Sequence, residues 1–125
     1  MSGHVIISHG LDSGPEATKA TALARVAGEL GWSHERPDYR DLDATALLGD
    51  VPGRIARLAE RARAAAARPL VLAGSSMGAY VSAHVSRELP VAGLFLMAPP
   101  VALDVEPRHL RAAMVPTRIV HGWED

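Results

Sequence analysis

The chain contains no cysteine, which excludes disulfide cross-links, thiol nucleophiles and cysteine-ligated zinc sites. Aromatic residues are scarce: two Trp, two Tyr and one Phe in 125 residues. The apolar content is mostly Ala, Val and Leu, small side chains that suit close packing of helices on a sheet. Neither sign of charge is in excess. The formal net charge is -1, so no basic field directs the chain to nucleic acid. No run approaches the roughly 20 apolar residues of a membrane span. The opening MSGHVII lacks the charged and long apolar segments of a signal peptide. These absences point to a soluble, cytoplasmic protein without nucleic-acid or membrane partners. Residues 1–125 read as a single domain.

What is present alternates between two kinds of pattern. Residues 4–8 (HVIIS), 69–73 (PLVLA), 91–97 (VAGLFLM) and 117–121 (TRIVH) are short apolar runs that read as buried strands, and 33–36 is a weaker strand placed by connectivity. Ser13 followed by Glu16 has the spacing of a capping box before a helix carrying Ala20, Leu23, Ala24, Ala27 and Leu30, with Gly31 placed to end it. Residues 37–43 read as a polar loop. A second helix puts Ile55, Leu58, Ala59, Ala62 and Ala66 on one face. The arginines of 54–68 look like a basic run, but Glu60 interrupts them, and they read as the solvated face of that helix. A helix of small residues runs from about residue 77 to Leu89, ended by Pro90. The excursion 98–116 carries a short helix at 107–114. Strands alternating with helices predict a parallel sheet with helices on both faces, in strand order 2-1-3-4-5, with any site at the carboxyl ends of the strands.

The chemistry is written around Ser76. Gly74-Ser75-Ser76-Met77-Gly78 fits G-x-S-x-G, and it stands where a nucleophile elbow requires it, between a buried strand and a helix of small residues. A sharp turn there presents the serine Oγ at the tip of the sheet and forces the neighbouring positions to be small, which Gly74 and Gly78 satisfy. The helix N-terminus beneath the serine favours the negative charge that develops in acyl transfer. Such a site also needs two donors for the oxyanion. One is the N–H of Met77. The other belongs to the loop after a neighbouring strand, here Ser8-His9-Gly10-Leu11, where Gly10 lets the backbone turn inward and Leu11 N–H is the expected donor, ahead of Asp12.

The segment HGLDSGPEATKATALA followed by GSSMGAY resembles the α/β-hydrolase superfamily, and within it the small YqiA-type esterases; the closing HGWED is similar to the H-G-x-x-D pattern of that superfamily. The resemblance runs through the whole chain in order. It implies an α/β-hydrolase core, esterase or thioesterase activity on a small-molecule ester, no cofactor, no metal, and a triad in chain order Ser, Asp, His. On that pattern the acid is Asp125, which also follows the last apolar strand at the same end of the sheet as Ser76. No histidine follows Asp125. The expectation is therefore that the chain is C-terminally incomplete, lacking a last strand and helix, and inactive alone. Of the six histidines, His9 is the nearest to the elbow but its backbone belongs to the oxyanion loop, and His121 at the end of the last strand reads as structural. Met97, Val101, Leu103 and Met114 could line an acyl pocket or belong to the core. The competing reading is a non-catalytic binding module that keeps the fold and has lost the triad. A serine without a base is a poor nucleophile.

Overall fold

Period-two alternation in the strands decides which helix covers which face. A computed structural model describes residues 2–65 and 68–121. In β1 (His4–Ser8), β3 (Leu70–Ser75) and β4 (Gly93–Met97), Ile6, Leu70, Leu72, Leu94 and Leu96 point to one side, and Val5, Ile7, Ala73 and Phe95 to the other. The first side is covered by α3 (Val51–Ala64) and α4 (Met77–Val85), which bring Leu58, Ala62, Ala79, Tyr80 and Val81 into the main core. The second is covered by α1 (Thr18–Glu29) through Ala20, Ala24 and Leu23. Burying one side chain of the size of Leu58 contributes about 1.5–3 kcal/mol, and the larger cluster holds most such side chains.

With β2 (Ser33–Glu35) and β5 (Thr117–Val120), the strands form one sheet in the order β2-β1-β3-β4-β5, and every neighbouring pair is parallel. This is the order expected from the alternation of elements. Parallel pairing brings all carboxyl ends to one edge: Ser8 registers with Gly74, and Ser75 with Met97. Among the described residues no helix is long and apolar enough to cross a membrane.

Four local expectations are corrected. Ser13 does not cap α1. The N-cap is Ala17, without a side-chain bond, and Ser13 Oγ donates instead to the Gly10 carbonyl at 2.9 Å. The presumed polar loop 37–43 contains a one-turn helix, α2 (Arg40–Asp43). No helix forms at 107–114, where the chain instead makes an isolated antiparallel bridge between Ala102 and His109. And α4 stops at Val85, continuing as tight turns in which Arg87 N–H and Glu88 N–H donate three residues back. Gly31 does end α1, at φ 76°, a value that glycine adopts without strain. Ala66, expected on the buried face of the second helix, lies outside the described residues.

Candidate active site

The tip of β3 is built by sterics before any chemistry. A Cβ placed on Gly74 would stand 2.4 Å from the backbone of Gly78, and one on Gly78 would stand 2.0 Å from the Ser8 carbonyl oxygen. Both glycines are therefore required for α4 to start directly against β3 and β1. Between them Ser76 takes φ 54°, ψ -114°, left-handed territory that costs a non-glycine residue about 1–3 kcal/mol. Its N–H is held by the Met97 carbonyl at 2.8 Å. Ser76 is exposed, whereas Met77, the first residue of α4, is buried. At the start of a helix the Met77 N–H has no partner within the helix.

The loop after β1 lies beside this turn. A Cβ on Gly10 would be 3.5 Å from Ser76 Cβ, so the two backbones are close neighbours. Leu11 N–H has no acceptor among the described residues. The expected oxyanion donors, Leu11 and Met77, thus flank Ser76 from β1 and α4. A cavity of about 250 Å³ opens beside them, lined by Ile7, Leu11, Ala17, Ala20, Ser76 and Met97. Of the proposed acyl-pocket residues only Met97 is there. Val101 and Met114 are exposed and Leu103 packs on the main core.

Among the described residues no histidine ring hydrogen-bonds to Ser76. His9, which does line the cavity, is buried with both ring nitrogens engaged. Nε2 accepts the Tyr39 N–H at 2.9 Å, so Nδ1 carries the proton and donates to the Gly10 carbonyl at 2.7 Å. His4 is bonded to Ser33 and Glu35, and His84 to the His109 carbonyl. His34 sits on β2, beside the far end of α1, against Gly28. His121 follows Val120, which registers with Met97; it is level with Ser76 but two strands away, roughly 10 Å. Asp125 lies outside the described residues. Among the described residues no group of three or more His, Asp or Glu could hold a metal ion.

Burial, ahead of the nearby Arg54 charge, holds the His9 pKa below its usual value. The unfolded chain therefore binds a proton near pH 6.5 that the folded chain refuses, and stability present above that pH is lost as the pH falls through and below it. The urea midpoint should drop between pH 7.5 and 5.5. His9→Gln, which retains an acceptor for Tyr39 N–H, should flatten that drop; an identical slope in the variant would remove His9 as its source.

Sequence reasoning missed the group that organises this loop. Arg54 was expected on the solvated face of α3, yet it is fully buried. Arg57, Arg61 and Arg63 of the same helix do pair on the surface, with Asp41, Glu35 and Glu88. The spacing held a signal: Val51, Arg54, Leu58 and Ala62 recur at three and four residues, and all four are buried. Arg54 Nη1 donates to the His9 carbonyl at 2.7 Å and Nη2 to the Gly10 carbonyl at 3.2 Å. Its Nε and Nη2 meet the two carboxylate oxygens of Asp43 at 2.7 and 2.6 Å. The guanidinium lies 4.5 Å from the ring centroid of Tyr39, whose hydroxyl bonds Ser8 Oγ at 2.9 Å. Burial pushes the Tyr39 phenol up to about 12.

No protein-family model matches the chain, and no curated protein does. Solved structures do. A candidate hydrolase of the alpha/beta superfamily from Xanthomonas campestris pv. campestris is 56% identical, with a TM-score of 0.93 over 97% of this chain and 72% of that one. A YdeN-like candidate hydrolase from Pectobacterium atrosepticum is 21% identical with a TM-score of 0.60, over 94% of this chain and 61% of that one. A lidless a/b serine hydrolase from Xanthomonas campestris is 23% identical with a TM-score of 0.62, over 94% and 58%. The last two share the fold; the first, by its identity and coverage, carries the family, and with the parallel sheet and the turn at Ser76 it establishes that this chain belongs to the α/β-hydrolase superfamily.

Proposed function

We propose that the protein is a serine hydrolase that cleaves small carboxylic esters or thioesters through an acyl-enzyme on Ser76. The observation that carries the reading is the positive φ of Ser76 at the junction of β3 and α4, beside a cavity of small-acyl size. In this scheme Ser76 Oγ bonds to the acyl carbon as its proton passes to a base. The carbonyl oxygen takes negative charge between the N–H groups of Leu11 and Met77. The C–O or C–S bond to the leaving group then breaks, and the leaving group takes up the proton. Water repeats the sequence and frees the acid. Asp125 is proposed as the acid that orients the base, on the H-G-x-x-D pattern of the sequence. The resemblance to the YqiA-type esterases favours short acyl groups, as does the cavity.

The second reading, a binding module without hydrolytic activity, is favoured by one observation: both ring nitrogens of His9, the one histidine in the cavity lining, are spent on the backbone. A fluorophosphonate probe separates the two, because only an activated serine reacts. Stoichiometric modification of the Ser76 peptide, found by mass spectrometry, supports the hydrolase; an unmodified protein supports the binding module. The oxyanion assignment has its own test. Leu11→Pro deletes one N–H and should lower turnover about 10²–10³-fold. With folding verified by circular dichroism, undiminished turnover would place the donor elsewhere in the loop.

A further inference from the structure

We infer that Arg54 is a positioning residue for the oxyanion loop: its buried guanidinium fork, aimed by Asp43, holds the His9 and Gly10 carbonyls so that Leu11 N–H faces the acyl site. This rests on the reading of Ser76 as the nucleophile. In a trans peptide the N–H points opposite to the C=O, so whatever fixes the Gly10 carbonyl also fixes the Leu11 N–H. Three donors converge on that carbonyl: His9 Nδ1 at 2.7 Å, Ser13 Oγ at 2.9 Å and Arg54 Nη2 at 3.2 Å. The preceding carbonyl, of His9, takes Arg54 Nη1 at 2.7 Å. One rigid fork therefore spans two consecutive peptide planes, from a residue outside the cavity lining.

The fork is itself fixed. Asp43 receives it side-on through both carboxylate oxygens, and Tyr39 lies against its face. A lysine could supply the charge but not a planar set of donors to four acceptors at once. Arg54 is the one arginine of α3 that is buried, and the backbone it bonds belongs to the loop beside Ser76. A buried charge can be met by a carboxylate anywhere. Here the remaining donors are spent on the carbonyls of the two residues that precede Leu11.

The test uses the full-length protein. Arg54→Lys should lower kcat about 100-fold, the penalty of a misplaced group at a reacting centre, with KM changed less than about threefold. Amide hydrogen exchange at Tyr39, whose N–H is held by the His9 ring of the loop, should accelerate about tenfold or more, while that of β3 is unchanged. Asp43→Asn keeps the fork and removes its aim, and should show the same pattern more weakly; it carries the test if Arg54→Lys does not fold. Arg57→Lys, on the exposed face, should match the wild type in both measurements. Equal kcat and equal Tyr39 exchange in a folded Arg54→Lys or Asp43→Asn protein overturn the inference. So does a loss confined to KM. If the wild-type protein shows no Ser76-dependent turnover, the nucleophile reading fails, and the exchange rates still decide the role of Arg54: accelerated rates support it and unchanged rates overturn it.

Discussion

Ser76→Ala is expected to abolish both ester hydrolysis and fluorophosphonate labelling, while Ser75→Ala leaves each within a few-fold of the wild type. The two serines are adjacent and chemically identical, so the contrast isolates position. Ser76 carries the positive φ, follows the last residue of β3 and precedes the first of α4, and it lines the cavity wall with Leu11 and Met97. Ser75 also borders the cavity, but it is still in the strand, paired with Met97. Loss of the nucleophile in a serine hydrolase removes about 10⁴-fold or more of kcat, because the base then has no hydroxyl to activate and no acyl-enzyme can form. Turnover of p-nitrophenyl acetate, together with intact-mass analysis after the probe, measures both effects. A Ser76→Ala protein that hydrolyses or labels like the wild type would end the assignment.

A larger structural effect is expected from one methyl group. Gly78→Ala puts a Cβ 2.0 Å from the Ser8 carbonyl oxygen and 2.7 Å from that of His9. Those atoms are backbone of the interior strand β1 and the loop that follows it, and they cannot rotate away as a side chain would. Either α4 lifts off the sheet or β1 shifts, and overpacking of this severity costs about 3 kcal/mol or more. Because the displaced atoms adjoin the oxyanion loop, activity should fall even in molecules that remain folded. Gly31→Ala is the comparison: it has open space around its Cβ and only the strain of φ 76°, about 1 kcal/mol. Chemical denaturation of the two variants decides the point. Similar midpoints would mean that the contact at Gly78 relaxes at little cost.

The strands and their order were legible in the sequence because short β-branched runs separated by helices allow few arrangements, and right-handed crossovers remove most of those. The sharp turn at Ser76 was legible because Gly74 and Gly78 mark a contact too close for any side chain. What escaped has a common physical basis. Ser13 and Glu16 have the letters of a capping box, but Ser13 Oγ found a better acceptor in the Gly10 carbonyl, and long-range structure outweighed the local motif. Arg54 was assigned to solvent by charge alone. Its partners, Asp43 and the two carbonyls, come from segments that no helical periodicity connects to α3. The segment 107–114 has apolar spacing suited to a helix, yet its backbone bonds go to Leu103, Val101 and Ser86 through tertiary pairing. No base for Ser76 is legible: the His9 ring is committed to the backbone, and no other histidine among the described residues lines the cavity.

The register of β1 against β3 has a consequence for how this site comes into being. Ser8 meets Gly74, and Gly10 meets Ser76, across a chain separation that includes three helices and an edge strand. Closing such a loop costs entropy that no local contact repays, so pairings of this kind form late in folding. The elbow and the oxyanion loop are each only a few residues long, but neither exists as a site until that closure is made. On the proposed role of Ser76, its reactivity would be a property of the finished topology: in a nascent or partly folded chain the same serine would be no more nucleophilic than one in a peptide.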